Sequence, residues 1–336
     1  MKNKRLWQKP FFLAVVLLFP LAALVSREGK AADKSRITHV KVGEAPNFVA
    51  ISSNSELAYV TCYTTDEVSV VNLRSRKLVD RLYIGAGPLG IALTPLGDKA
   101  YVAMNGARMI AVLDLKSRRV TDNVKVEGPP GIVAVSPKGY RVYASNFGMG
   151  SKPESGRLDV VEMARNELLK SIPLGGRPIG IAASPDGAKV YVINGASDEL
   201  LVIDDDALKV EKRIRIGENP DGLAISPDGR RLFVANKGTN DMSIIDVLVG
   251  RMIINIPVEK SPFGVAIDPA GQWVYVVNSK SNSVSRLSAR MDTVDTRSYR
   301  VGKGPAQLAV SPDGNFLVVT NEFSDTVSII PLEKEP

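Results

Sequence analysis

From residue 46 onward the chain alternates short apolar stretches with tight polar turns, and one phrase of that pattern returns seven times. In the unit beginning at Pro178, Ile179–Ala183 is a continuous apolar run and Ser184-Pro185-Asp186-Gly187 supplies turn residues. Lys189–Ile193 then alternates, with Val190 and Val192 on one side, and Asn194–Glu199 is polar. Leu200–Asp204 is apolar again, and Leu208–Ile216 alternates through Val210, Ile214 and Ile216. Short runs with period-two alternation, bounded by Pro, Gly and Asp, predict strands joined by tight turns. Each unit therefore reads as a four-stranded antiparallel meander. The same division works at Pro220 with Ser226-Pro227-Asp228-Gly229 and at Pro305 with Ser311-Pro312-Asp313-Gly314.

The prolines that open the units are Pro46, Pro88, Pro130, Pro178, Pro220, Pro262 and Pro305, spaced by 42, 42, 48, 42, 42 and 43 residues. The second-strand landmarks Tyr59, Tyr101, Tyr143, Tyr191, Phe233, Tyr275 and Val318 keep the same spacings. A period of about 40–45 residues with four strands per unit predicts propeller blades. One such sheet cannot bury both of its faces, whereas seven arranged radially can. The expected fold is an all-β, seven-bladed propeller, a single domain over 32–336, with repeats starting near 42, 84, 126, 174, 216, 258 and 301. The seventh unit stops at Ile330-Pro331 with three strands, and an orphan strand, Ile37–Val42, precedes the first unit. That strand is expected to complete the last blade from outside and so remove an exposed edge. An open solenoid would instead call for polar capping repeats.

The second strands end Tyr59-Val-Thr-Cys62, Tyr101-Val-Ala-Met104, Tyr143-Ala-Ser-Asn146, Tyr191-Val-Ile-Asn194, Phe233-Val-Ala-Asn236, Tyr275-Val-Val-Asn278 and Val318-Val-Thr-Asn321. Over residues 37–331 this resembles the YVTN-repeat β-propeller family. The resemblance implies the fold and an exported protein of bacterial or archaeal surface or periplasm. It leaves the job open, because related propellers include lactonase-type enzymes and the propellers of nitrite and nitrous oxide reductases, and fold does not carry chemistry. The motif Asn is expected to bond local backbone where its strand ends, and Asp114, Asp204 and Asp246 to cap turns.

The N-terminus changes the charge argument. Lys2, Lys4, Arg5 and Lys9 precede an apolar run, Phe11 to Val25, and Gly29-Lys30-Ala31 fits a cleavage site. This predicts a secretory signal peptide over 1–31, an uncleaved anchor being the alternative. The run falls short of the roughly 20 residues that span a bilayer, and no later stretch resembles a span. The chain carries 43 Lys and Arg against 36 Asp and Glu; without the six basic residues and one acid of 1–31, 37 face 35. A net charge near +2 gives no argument for nucleic acid. The single cysteine, Cys62, cannot form an internal disulfide and is expected to be a half-buried replacement for the motif Asn.

The search for chemistry comes back nearly empty. One histidine, His39, lies on the closing strand, which does not suit a Ser-His-Asp device, a copper site or a zinc site. No Gly-x-x-x-x-Gly-Lys-Ser/Thr loop and no Cys-x-x-Cys-His is present. Asp204-Asp205-Asp206 lacks a further acid at calcium-loop spacing. No metal and no cofactor is expected. In a propeller, the loops leading into the innermost strands meet at a central funnel, and the residues around each Pro vary there. Candidate binding residues are Asn47, Phe48, Arg177, Asp221, Phe263 and Gln307, with Leu89, Gly131, Ile179, Asn219 and Ala306 beside them. Arg177 and Asp221, in adjacent units, are expected to pair. The Phe147–Gly156 loop carries the six extra residues of the third unit. The expected function is a monomeric, exported, non-catalytic propeller that binds a protein partner or small polar ligand at its funnel, as scaffold or accessory factor. The alternatives are a lactonase-like hydrolase using carboxylates, and binding of single-stranded nucleic acid or another polyanion, which the aromatic content of 6% disfavours.

Overall fold

The structure is a computed structural model that describes residues 37–147, 155–290 and 297–333. The expected signal peptide and most of the third-unit insertion lie outside these residues. The described residues open with strand β1 (Thr38–Lys41). Blade one is β2 (Pro46–Ile51), β3 (Leu57–Cys62), β4 (Glu67–Asn72) and β5 (Lys77–Tyr83). Blade two is β6 (Pro88–Leu93), β7 (Lys99–Met104), β8 (Met109–Asp114) and β9 (Arg119–Lys125). Blade three is β10 (Pro130–Val135), β11 (Arg141–Asn146), β12 (Arg157–Glu162) and β13 (Glu167–Pro173). Blade four is β14 (Pro178–Ala183), β15 (Lys189–Asn194), β16 (Glu199–Asp204) and β17 (Lys209–Arg215). Blade five is β18 (Pro220–Ile225), β19 (Arg231–Asn236), β20 (Asp241–Asp246) and β21 (Arg251–Pro257). Blade six is β22 (Pro262–Ile267), β23 (Trp273–Asn278), β24 (Ser283–Ser288) and β25 (Arg297–Arg300). Blade seven is β26 (Pro305–Val310), β27 (Phe316–Asn321) and β28 (Thr326–Pro331), with β1 as its fourth and outermost strand.

Each blade's first strand contacts the first strand of the next, from β2 round to β26 and back to β2, so the seven sheets form a closed ring. The second strand is the most deeply covered: β3, β7, β11, β15, β19, β23 and β27 are buried along all but their first residue. Sheets on both flanks bury both faces of these strands, so Lys189–Asn194, whose alternation predicts a half-buried strand, is instead buried on both sides from Val190 onward. The fourth strands face solvent, and Lys77–Tyr83 alternates, whereas Arg251–Pro257 of blade five is exposed along nearly its whole length.

The turns follow from their residues. Ser184 Oγ donates to Asp186 Oδ1 at 2.6 Å and accepts from the Lys189 amide at 2.9 Å. Gly187 has φ of 64°, the left-handed conformation that glycine adopts at little cost. At the same end of the sheet, in the turns between third and fourth strands, Asp114, Asp204 and Asp246 accept from the amides of Ser117, Ala207 and Val249, so they cap turns as expected.

The motif Asn departs from its expected role. Asn194 bonds chiefly to local backbone, accepting from the Arg177 and Ala196 amides and donating to the Gly175 carbonyl, and Asn146 donates to the Asp159 carboxylate on its neighbouring third strand. Asn236, Asn278 and Asn321 donate instead to hydroxyls on the neighbouring third strand: Ser243 at 2.8 Å, Ser285 at 2.9 Å and Ser328 at 2.9 Å. The difference follows the residue two along the facing third strand, which is Ser243, Ser285 or Ser328 in these blades but Leu201 in blade four. The lead-in glycine packs on the carboxamide in either case. A Cβ at Gly176 or Gly217 would fall under 3 Å from Asn194 or Asn236. Gly and Asn are thus two halves of one contact in these blades, while blade six, with Asn278, carries Glu259 at the glycine position. Where blade one puts Cys62 in the Asn position, Gly43 rests on its Cβ. Cys62 is fully buried rather than half-buried, and burial pushes its thiol up to about 11.

Closure occurs as the sequence predicts. β1 pairs antiparallel with β28, Thr38 opposite Ile329 through Lys41 opposite Thr326. Val40 and Val42 are buried in the joint, and Asp325 ties the lead-in loop down: its main-chain oxygen accepts from the Val42 amide at 3.0 Å and its carboxylate meets Lys41 at 3.0 Å. His39 is exposed on this strand, with Nδ1 at 3.0 Å from Ser328 Oγ.

Candidate functional site

The first strands begin at the axis, and the residues just after each Pro meet there. A cavity of about 300 Å³ opens at this point, lined by Asn47 and Phe48 of blade one, Leu89 of blade two, and Gly131, Ile132 and Phe147 of blade three. Arg177 and Ile179 of blade four, Asp221 of blade five and Phe263 of blade six complete the lining. Five of the six candidate residues are therefore brought together. The sixth, Gln307, stands outside the lining. Its amide donates to Thr320 Oγ1 at 2.9 Å, and its side-chain oxygen lies against Gly264. Asn219 and Ala306 are also outside it.

The expected Arg177–Asp221 pair is replaced by a different one. Asp221 is bonded to Lys237 Nζ at 2.6 Å, and that same ammonium stands 3.8 Å from the centroid of the Phe263 ring. Lys237 directly follows Asn236, at the turn between the second and third strands of blade five, and so reaches Asp221 from its own blade. Burial pushes the Asp221 carboxyl above its usual range despite the opposing charges of Lys237 and, further off, Arg177. Arg177 is exposed and has no ion-pair partner among the described residues. Its guanidinium lies beside Gly195 and the Ile179 side chain.

Two residues that shape the site escaped the list of candidates: Phe147, which lines the cavity, and Lys237, which lies behind Asp221 and Phe263. Phe147 follows Asn146 as Lys237 follows Asn236, and its ring lies where a Gly131 side chain would be. A signal for it existed: Gly131 is bare where the other units carry a side chain, and Phe147 begins the longest inter-strand loop. Lys237 had no such signal, being one of many lysines in turns.

The three consecutive aspartates do not form a cation site. Asp204 is held by Lys189 at 2.7 Å. Asp205 is buried between blades three and four, where it pairs with Arg141 at 2.9 Å and accepts from the Tyr143 hydroxyl. Among the described residues, no three potential metal-ligating side chains gather in one place. Asp159, wholly buried in blade three, accepts from Ser171 Oγ and the Glu127 amide, and burial raises its carboxyl above the usual range. It braces a blade and is outside the funnel lining. No helix among the described residues is long and apolar enough to cross a membrane.

Similarity to known proteins agrees with this architecture. The chain resembles a chain in a structure of Kuenenia stuttgartiensis hydrazine synthase, with TM-score 0.78, 23% identity, and coverage of 89% of this chain and 99% of that one. It resembles the β-propeller domain of Cps50 (Swd1) from Myceliophteria thermophila, with TM-score 0.74, 12% identity, and coverage of 88% and 100%. A functionally unknown protein from Desulfotomaculum acetoxidans matches with TM-score 0.72, 14% identity, and coverage of 83% and 93%. Likenesses at these identities speak for the fold alone. No curated protein sequence matches. A family model described as a seven-bladed lactonase propeller matches residues 216–297 and 259–335. A model described as YNCE-like beta-propeller matches residues 26–225, more than half of the 336, and the chain belongs to that family.

Proposed function

We propose that the protein is an exported propeller that holds a small ligand or a partner's side chain in its funnel, without catalysing a reaction, as a scaffold or accessory factor in a periplasmic or surface assembly. The observation that carries this is where the repetition breaks. Around the ring the same residue types recur at equivalent positions, because each blade solves the same packing problem. At the funnel, equivalent positions hold Asn47, Leu89, Gly131, Ile179, Asp221 and Phe263, and these line one cavity. Apolar walls with a few polar groups are the usual make-up of a ligand pocket. The charged and apolar N-terminal pattern supports export.

A ligand-observed NMR screen of small acids, amides and peptides tests the funnel. Compounds that bind the parent are expected to lose binding in Leu89→Trp, which fills the cavity, and equal binding in that variant places the site elsewhere. For export, N-terminal sequencing of the protein from the native host is expected to begin at residue 32, in a soluble extracytoplasmic fraction. An intact Met1 in the membrane fraction overturns cleavage.

The lactonase-type match over the C-terminal blades supports a second reading, a hydrolase using carboxylates. Asp221 is the acid within the lining and would serve as base. Lactone hydrolysis followed by pH-stat, present in the parent and absent in Asp221→Asn, would favour it.

A further inference from the structure

We infer that the funnel takes a monocarboxylate bearing one aromatic or branched apolar group, with the carboxylate at Arg177 and the apolar group among Phe48, Phe147 and Phe263. This rests on the funnel being a binding site and assigns its ligand class. The cavity of about 300 Å³ is at the small end for ligand pockets, so it suits one ring and a short tail rather than a fused cofactor. Its three phenylalanines come from blades one, three and six, so apolar surface faces the cavity from several sides.

The charges decide the sign of the ligand. Two charged side chains line the cavity, Arg177 and Asp221. Asp221 is already neutralised by Lys237 at 2.6 Å, and Lys237 is further occupied by the Phe263 ring. A cationic ligand would have to displace Lys237 from a buried pair and then face Arg177. An anion meets an exposed guanidinium that no described carboxylate occupies. The planar fork of arginine matches a carboxylate through two parallel hydrogen bonds. A bare phosphate would leave the phenylalanines facing water. Glu322, the acid at the equivalent turn of blade seven, is outside the lining. The carboxylate can come from a free acid or from the C-terminus of a chain ending in an aromatic residue.

Isothermal titration of the purified protein tests the assignment with matched probes: 3-phenylpropionate, its neutral amide, and 2-phenylethylamine. The acid is expected to bind at least about tenfold more tightly than the amide, a difference of about 1.4 kcal/mol. Arg177→Gln is expected to bring the acid down to the amide and leave the amide unchanged. A tripeptide ending in Phe, with free or amidated C-terminus, separates the two sources. Tighter binding of the free-carboxylate peptide than of 3-phenylpropionate points to a chain terminus, and the reverse to a free acid. Equal affinity of acid and amide, or tighter binding of the amine, overturns the anion assignment while leaving the funnel as a binding site. Acid binding that survives Leu89→Trp also overturns it. If no probe binds at millimolar concentration and the wider screen finds nothing sensitive to Leu89→Trp, the inference and the funnel reading fall together.

Discussion

Thr320 Oγ1 donates to the main-chain carbonyl of Asn47 at 2.8 Å, joining the last blade to the first at the axis. The same hydroxyl accepts from the Gln307 amide at 2.9 Å. Thr61 does the equivalent in blade one, accepting from the Phe48 amide at 3.0 Å and donating to the Leu89 carbonyl at 2.6 Å. Ser145 accepts from the Ile132 amide at 3.0 Å in blade three. In the other four blades the residue two after the Pro is Gly90, Gly180, Gly222 or Gly264, and the hydroxyl position holds Ala103, Ile193, Ala235 or Val277. A Cβ at Gly180 would lie 2.7 Å from the Asp221 carbonyl of the next blade. The inner ring thus has two alternative solutions: a glycine that lets adjacent strands approach, or a side chain with a Ser or Thr beside it to satisfy the displaced backbone.

This pairing predicts a non-additive mutant cycle. Thr320→Val strands the Gln307 amide and the Asn47 carbonyl and should cost about 1–3 kcal/mol. Adding Gln307→Gly converts blade seven to the arrangement of blade six, and the double variant should be more stable than Thr320→Val alone. Urea unfolding of the four proteins measures the coupling, and strict additivity rejects the two-solution account.

Removing residues 37–42 should lower the melting temperature and promote aggregation. The deletion exposes the edge of β28 and removes buried Val40 and Val42, each contributing about 1.5–3 kcal/mol. Scanning calorimetry with light scattering reads both effects, and an unchanged melting temperature rejects closure as a source of stability.

Lys237→Met leaves the buried Asp221 carboxylate without its partner. The loss at neutral pH should be about 3 kcal/mol, the low end for breaking a buried pair. The sign of its pH dependence follows from burial, which already raises the Asp221 carboxyl. A folded value raised above the unfolded one means stability falls as pH climbs past the unfolded value and is regained on acidification. The destabilisation should therefore shrink toward pH 4. A loss that stays constant from neutral to acid pH contradicts this.

Blade five has an unguarded outer strand. Met252, Ile253 and Ile254 of β21 are 42%, 45% and 46% exposed, while β17 at the same place reads Lys-Val-Glu-Lys-Arg-Ile-Arg. Charged residues on edge strands suppress edge-to-edge association. Ile254→Lys should raise the onset temperature of aggregation while changing unfolding stability by no more than about 0.5 kcal/mol. An unchanged onset would show that the strand takes no part.

The ring, its seven units and the closing strand were legible because each repeats or completes a pattern: Pro, Ser-Pro-Asp-Gly and Asn keep step, and Ile37–Val42 has no other partner. The convergence of Phe48, Arg177, Asp221 and Phe263 was legible because blade geometry places equivalent loops at one axis. The details were not. Whether Asp221 chooses Arg177 or Lys237 depends on ångström-scale reach, which sequence spacing does not encode. Phe147 enters the funnel because Gly131 leaves room, a relation between residues in different strands. Gln307 looked like another funnel residue, but its role is tied to Thr320, and no single-blade pattern shows that.

The joint between β1 and β28 also sets a timetable. His39 and Ser328 touch although 289 residues separate them. β1 therefore waits for β28, and the ring cannot be completed while any blade between them is missing. Contacts so distant along the chain make folding slow. Until the two ends meet, the partial ring offers open strand edges to its neighbours, so the hazardous interval for this protein is its assembly rather than its finished state.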